Sequence, residues 1–188
     1  MKKILFTGLL CLLSGIVQAD QIACFWDFGK PGLCSDPRQF VPARSEKNNF
    51  SFKLSQERTP AGERVLEITP LTSESKVHHA KQVNFAYGKP LKKGELYKLE
   101  FYIKGSVPGV VTMVAAQSRP PYKGVGNSWK QINVTKNWQK VEKEFTISGD
   151  FNPPNAIPRF MFGSYPVNQK LQLGSVKLIR MDKIAKEQ

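Results

Sequence analysis

The sequence is short of the groups that most often do chemistry. Its 188 residues include three cysteines and two histidines. The histidines, His78 and His79, are adjacent. Neighbouring strand residues point to opposite faces, so a surface or loop role suits this pair better than a shared metal. No Gly-x-Ser-x-Gly turn is present, which removes the strand-to-helix nucleophile of the α/β-hydrolases. Carboxylates are scarce as well: 15 acids stand against 28 Lys and Arg, for a formal charge of +13. Glycoside hydrolysis needs two carboxylates facing one another across a cleft. The acids here, such as Glu142 and Glu144, mostly alternate with lysines in solvent-facing positions. These absences argue against an enzyme and against a metal site.

Long apolar runs are missing too, except at the start. "MKKILFTGLLCLLSGIVQAD" has two lysines, an apolar run and small residues ending at Ala19, the layout of a secretory signal peptide over residues 1–19. The run is too short for a comfortable membrane anchor, so no transmembrane anchor is expected after cleavage. Residues 20–188 are the right size for one domain with its own core. In an exported chain, Cys24 and Cys34 are most simply a disulfide. A metal pair would have only His78 and His79 to complete it. The signal contains no acid, so its loss leaves the chain strongly basic and attracted to anionic lipid, acidic polysaccharide or nucleic acid.

What is present is alternation. Sustained helical periodicity is absent after the signal. "LYKLEFYIKG" sets Tyr97, Leu99, Phe101 and Ile103 against Lys98, Glu100, Tyr102 and Lys104. "AKQVNFAYG" sets Val83, Phe85 and Tyr87 against Gln82 and Asn84, and "GVVTMVAAQ" is apolar on both faces, as an interior strand would be. In "KLQLGSVKLIRM" the parity moves from Leu171 and Leu173 to Val176 and Leu178, which predicts a β-bulge at Gly174-Ser175. Gly, Pro and Asn clusters punctuate the strands. The pattern indicates an all-β sandwich.

"AGERVLEITP", "AKQVNFAYGKPLKKGELYKLEFYIKG", "TKNWQKVEKEFTI", "PRFMFGSY" and "LQLGSVKLIRM" follow one another in an order that resembles the carbohydrate-binding modules of the xylanase and cellulase type. The likeness covers roughly Asn48 to Met181. It implies a galactose-binding-like jelly roll that is non-catalytic and receives glycan on the polar face of a concave sheet. It also implies a structural calcium in many members. Here Gly174-Ser175 stands where an acid often helps hold that ion, which leaves Asp27 as a single candidate at the N-terminal position.

The residues expected to bind ligand are Trp129 and Tyr122, in the loop "QSRPPYKGVGNSWKQ", with Gln82 and Asn84 on the strand face. Aromatic rings stack on the C–H faces of sugars, and side-chain amides both donate to and accept from hydroxyls. Arg119, Lys123 and Lys130 would add positive charge for an acidic sugar. Core-lid and solvated-face roles remain open for these residues. Trp138 is expected to cover one end of the core, and Trp26 and Phe28 to pack near the disulfide. The expected partner is a glycan, neutral or acidic, rather than nucleic acid, and the expected location is secreted or periplasmic. The alternative is an envelope or host-surface protein that binds protein or anionic lipid through its basic surface.

Overall fold

The computed structural model describes residues 21–28, 40–42, 50–71, 82–118, 120–121, 123–127, 130–153, 155–162 and 164–181. The signal segment, Cys34 and the two histidines lie outside the described residues. Within them the regular elements are strands: β1 (Gln21–Trp26), β2 (Phe40–Pro42), β3 (Phe50–Arg58), β4 (Arg64–Pro70), β5 (Gln82–Tyr87), β6 (Leu96–Gly105), β7 (Gly109–Gln117), β8 (Lys130–Val134), β9 (Gln139–Thr146), β10 (Asn155–Met161), β11 (Leu171–Gly174) and β12 (Val176–Met181). No helix among these residues is long and apolar enough to cross a membrane. The strands form two antiparallel sheets that pack as a sandwich. One has seven strands in the order β1-β12-β6-β11-β4-β3, with β9 on the other side of β6; the second has five, in the order β2-β5-β10-β7-β8.

The parity change at Gly174-Ser175 is where one long strand divides into β11 and β12. Both halves pair with β6, but on the far side β11 pairs with β4 and β12 with β1. A half-turn of the pleat keeps Leu171, Leu173, Val176 and Leu178 all in the core. Gly174 has no room for a side chain, since a Cβ would lie 2.5 Å from Thr59 Cγ2.

The core between the sheets is rich in aromatic rings. The four odd-numbered residues of β6 from Tyr97 to Ile103 meet Val83, Phe85 and Tyr87 of β5, Val111 and Met113 of β7, and Phe160 and Phe162 at β10. Phe160 is fully buried at the centre. It lies edge-on to Phe101 at 5.1 Å and to Phe85 at 5.7 Å, and stacks with Phe162 at 6.3 Å. Edge-to-face pairs are favoured by the ring quadrupole. Trp26 and Phe28 contact Phe85 from the N-terminal strand and the residues after it. Cys24, in the same strand, is buried and disulfide-bonded.

Trp138 does not cap this core. It is half-buried on the outer side of the seven-stranded sheet, just before β9. Phe101 and Val141 face inward together and Ile103 pairs with Gln139, so the next residue back falls beside outward-facing Lys104. Lys104 Nζ sits 5.0 Å above the indole, and Trp138 Nε1 donates to Glu57 Oε1 at 3.3 Å. Glu57, in the bulge of β3, also accepts from Lys104 and, at 2.9 Å, from Gln172 Nε2 of β11. One carboxylate thus ties β3 to β11, β6 and the residue before β9. The hydrogen bond from Lys104 is the main reason its pKa falls below the ordinary 4.5, with Gln172 and Trp138 adding to the effect against a desolvation cost. The same outer face carries Lys98–Glu100 at 2.9 Å, Lys177–Glu63 at 2.8 Å and Lys53–Glu67 at 3.2 Å.

Two expectations follow. Phe160→Ala should lower the unfolding free energy by roughly 3–5 kcal/mol, read by chemical denaturation. Trp138→Ala should cost much less, about 1–2 kcal/mol, because it removes a partly exposed cation–π contact and one hydrogen bond. Equal losses would return Trp138 to the core. Glu57 has a depressed folded-state pKa, so its contribution is present above 4.5 and is lost as pH falls through the folded value. Thermal melts should therefore show Glu57→Gln less stable than wild type at neutral pH, with the gap closing in acid. A gap independent of pH would remove the ionic account.

Candidate functional site

Alternation decides what the five-stranded sheet shows to its outer side. Phe160 and Phe162 point inward, so Arg159 and Met161 point outward; Val83 and Phe85 are buried inward, so Asn84 points outward. Strand pairing then assembles rows across the sheet. Asn84 pairs with Arg159 and Arg159 with Val114. In the neighbouring row Gln82 pairs with Met161, Met161 with Thr112, and Thr112 with Gln131. The positions of Gln82 and Asn84 therefore share one face, with Arg159 between β5 and β7. For Gln82 only the backbone is described.

Arg159 is held in place. Its Nε donates to Asn84 Oδ1 at 2.9 Å and its Nη2 donates to the Gln117 carbonyl oxygen at 3.1 Å. The first bond turns the Asn84 amide so that its NH₂ group faces away from the arginine. Val114, Ala116 and Met161 form a small buried apolar cluster separate from the main core. On this side of the sheet Thr112, Val114, Ala116 and Met161 are buried, Asn84 and Arg159 are half-buried, and Gln131 and Asn133 of β8 are exposed at the edge. Arg159 and Thr112 were not among the expected site residues. The inward Phe160 and Phe162 flanking Met161 were the signal that could have found the arginine.

The loop after β7 is anchored. Gln117 N–H donates to the Lys123 carbonyl at 2.9 Å and Val125 N–H to the Ala115 carbonyl at 3.0 Å, and Val125 is fully buried. Gly126 then crosses to the other sheet and bridges Ile147, where a Cβ would come within 2.1 Å of the Thr146 carbonyl oxygen. Pairing with β7 resumes at Lys130, opposite Met113. Trp129, Tyr122 and Arg119 lie outside the described residues. Lys130 pairs with inward-facing Met113, so by register it lies on the opposite side of the sheet from Gln131, Gln82 and Asn84.

No strand of this sheet contains Asp or Glu. An open cleft of about 520 Å³ lies between the edge strands β8 and β9, lined by Gln131, Asn133, Gln139, Lys140, Glu142 and Lys143 among others. Its single carboxylate, Glu142, accepts a hydrogen bond from Lys140, and that contact holds its pKa below the ordinary value. An opposed carboxylate pair is not assembled there. Asp27 Oδ1 is buried without a hydrogen-bond partner, but among the described residues no three His, Cys, Asp or Glu side chains gather as a metal site. One carboxylate falls well short of the six to eight oxygens that calcium takes.

No curated protein sequence matches the chain. Solved structures do. The ligand-free carbohydrate-binding module BiXyn10A CBM1 superposes with a TM-score of 0.59 at 18% identity, covering 86% of this chain and all of that one. The CBM22-1 xylan-binding domain of Xyn10C from Paenibacillus barcinonensis gives 0.52 at 14% identity, over 86% of this chain and 96% of that one. The N-terminal cellulose-binding domain of β-1,4-glucanase C from Cellulomonas fimi gives 0.52 at 17% identity, over 72% and 91%. These likenesses establish the jelly-roll fold. The model of a family described as carbohydrate binding domain matches residues 44–161, well over half of the sequence, and the chain belongs to that family.

Proposed function

We propose that this chain is an exported, non-catalytic member of its family and binds one glycan chain across the outer face of the five-stranded sheet. The observation that carries the reading is the outward row Asn84–Arg159–Val114, in which Arg159 donates to Asn84. The amide and guanidinium supply fixed donors for sugar oxygens. Trp129, one residue before β8 in the sequence, is the aromatic proposed to stack on a sugar face. In the next row Gln131 is exposed and extends the polar surface, beside the buried Thr112. The relatives named for xylan and cellulose binding make β-linked polysaccharides the first ligands to try. Export rests on the signal-like first 19 residues. It agrees with the disulfide at Cys24, for which Cys34 is the proposed partner.

Isothermal titration with xylan and cellulose oligosaccharides tests the face. Asn84→Ala and Trp129→Ala should each weaken binding roughly tenfold, the effect of losing one well-placed polar or stacking contact. Their double mutant should show coupling if one ligand touches both. Lys177→Ala, on the other sheet, should leave affinity unchanged. Full affinity in both Asn84→Ala and Trp129→Ala would overturn the assignment. Non-reducing peptide mapping of the secreted protein should recover Cys24 linked to Cys34, and free thiols would refute that pairing.

A further inference from the structure

The sandwich is open along one side. Among the described residues β8 pairs with β7 alone and β9 with β6 alone, so each of the two leaves one edge without a ladder partner. These edges border the open cleft of about 520 Å³. Gln131, Ile132 and Asn133 line it consecutively from β8, and Gln139 to Lys143 consecutively from β9. Neighbouring strand residues point to opposite faces, so it is the strand edges that form the walls. Backbone donors and acceptors not taken by β6 or β7 therefore face the cleft. Ile132 and Val141, both buried members of the core, give it an apolar floor. On either side of Val141, Gln139 pairs with Ile103 and Lys143 with Leu99, and both partners are fully buried. Gln139 and Lys143 thus stand on the inward side of β9. Gln139 is held by its Oε1, which accepts from the Thr135 N–H at 3.3 Å.

We propose that this cleft is a second saccharide site, separate from the outer face of the five-stranded sheet, that it takes a sugar unit bearing a carboxylate, and that Lys143 supplies the opposite charge. The choice of a sugar rests on the family of the chain, not on the five-stranded face. Lys143 is the observation that carries the site. Lysine is rarely taken out of water without a partner, yet this one is half-buried at an inward position and its side chain makes no ion pair or hydrogen bond with the protein. The other two charges lining the cleft offset one another, since Lys140 donates to Glu142. One positive charge is left over, in a cleft whose only carboxylate is already engaged. The remaining groups suit a sugar. Strand-edge backbone groups and the Gln131, Asn133 and Gln139 amides provide donors and acceptors for hydroxyls. The floor of Ile132 and Val141 suits the C–H face of a ring, and the volume falls within the roughly 300–1,000 Å³ usual for small-ligand sites. An ammonium on a flexible stem meets a carboxylate as a mobile point charge.

Chemical-shift mapping by NMR tests the cleft with two probes: a xylo-oligosaccharide carrying one glucuronic acid, and the same compound with its carboxyl reduced to an alcohol. The acidic probe should shift the backbone amides of residues 131–133 and 139–143. The reduced probe should bind there roughly tenfold more weakly, the effect of one charge-assisted contact. Lys143→Gln should bring the two probes to similar affinity at the cleft, with folding checked by its melting transition. Lys143→Arg keeps the charge and should keep the preference. Shifts confined to the five-stranded face, around residues 83–85 and 159–161, would overturn the inference and leave that face standing. Shifts confined to the cleft would support the inference and bring down the face instead. Shifts at neither place would overturn both. An unchanged preference in Lys143→Gln, joined by self-association in sedimentation, would also overturn the inference, since the lysine would then only guard the strand edges.

Discussion

The inward insertion of Phe160 between the sheets is the constraint on which the rest of the molecule depends. Its ring meets Phe101 of the seven-stranded sheet and Phe85 of its own sheet, and it is fully buried. In a strand, sending one residue inward sends its neighbours outward. Arg159 and Met161 therefore face away from the core because Phe160 faces into it. Burial of the aromatic seam and presentation of the guanidinium are two results of a single choice of register. A slip by one residue would bury the arginine and expose the phenylalanine, at a cost in both directions.

The two outer faces then serve different ends. On the seven-stranded sheet, lysines and glutamates are arranged as paired charges, and Glu57 joins strands that are distant in sequence. Each exposed pair adds little by itself; together they leave a surface with little charge to offer a ligand. On the five-stranded sheet the strands hold no acid, and the outward polar groups Asn84 and Arg159 stand beside buried Val114, Ala116 and Met161. The anchored segment at Val125 and Gly126 links the two sheets at the edge of that surface and limits where the intervening loop can go.

Much of the fold was legible in the sequence because strand alternation is a local signal. The inward residues of β5 and β6, the interior character of β7 and the interruption at Gly174-Ser175 could each be read from a few neighbouring residues, and the order of strands carried the family. Trp138 was misplaced for a reason of the same kind. Its even number sets it opposite the inward Val141 and Phe145, and the expectation that a large aromatic covers one end of the core did not follow that parity to the outer face. The partners that hold it outside, Lys104 and Glu57, come from β6 and β3.

The sequence by itself determined the strand periods, the turns, the basic charge and the absence of acids from one group of strands. Only the tertiary structure decided which outward residues meet. Asn84 and Arg159 are 75 positions apart, and they touch because β5 and β10 pair in one register. Gln117 joins them because β7 lies on the other side of β10. Alternation assigns each residue a face. Hydrogen bonding between strands distant in the chain assigns it neighbours, and a binding surface is made of neighbours.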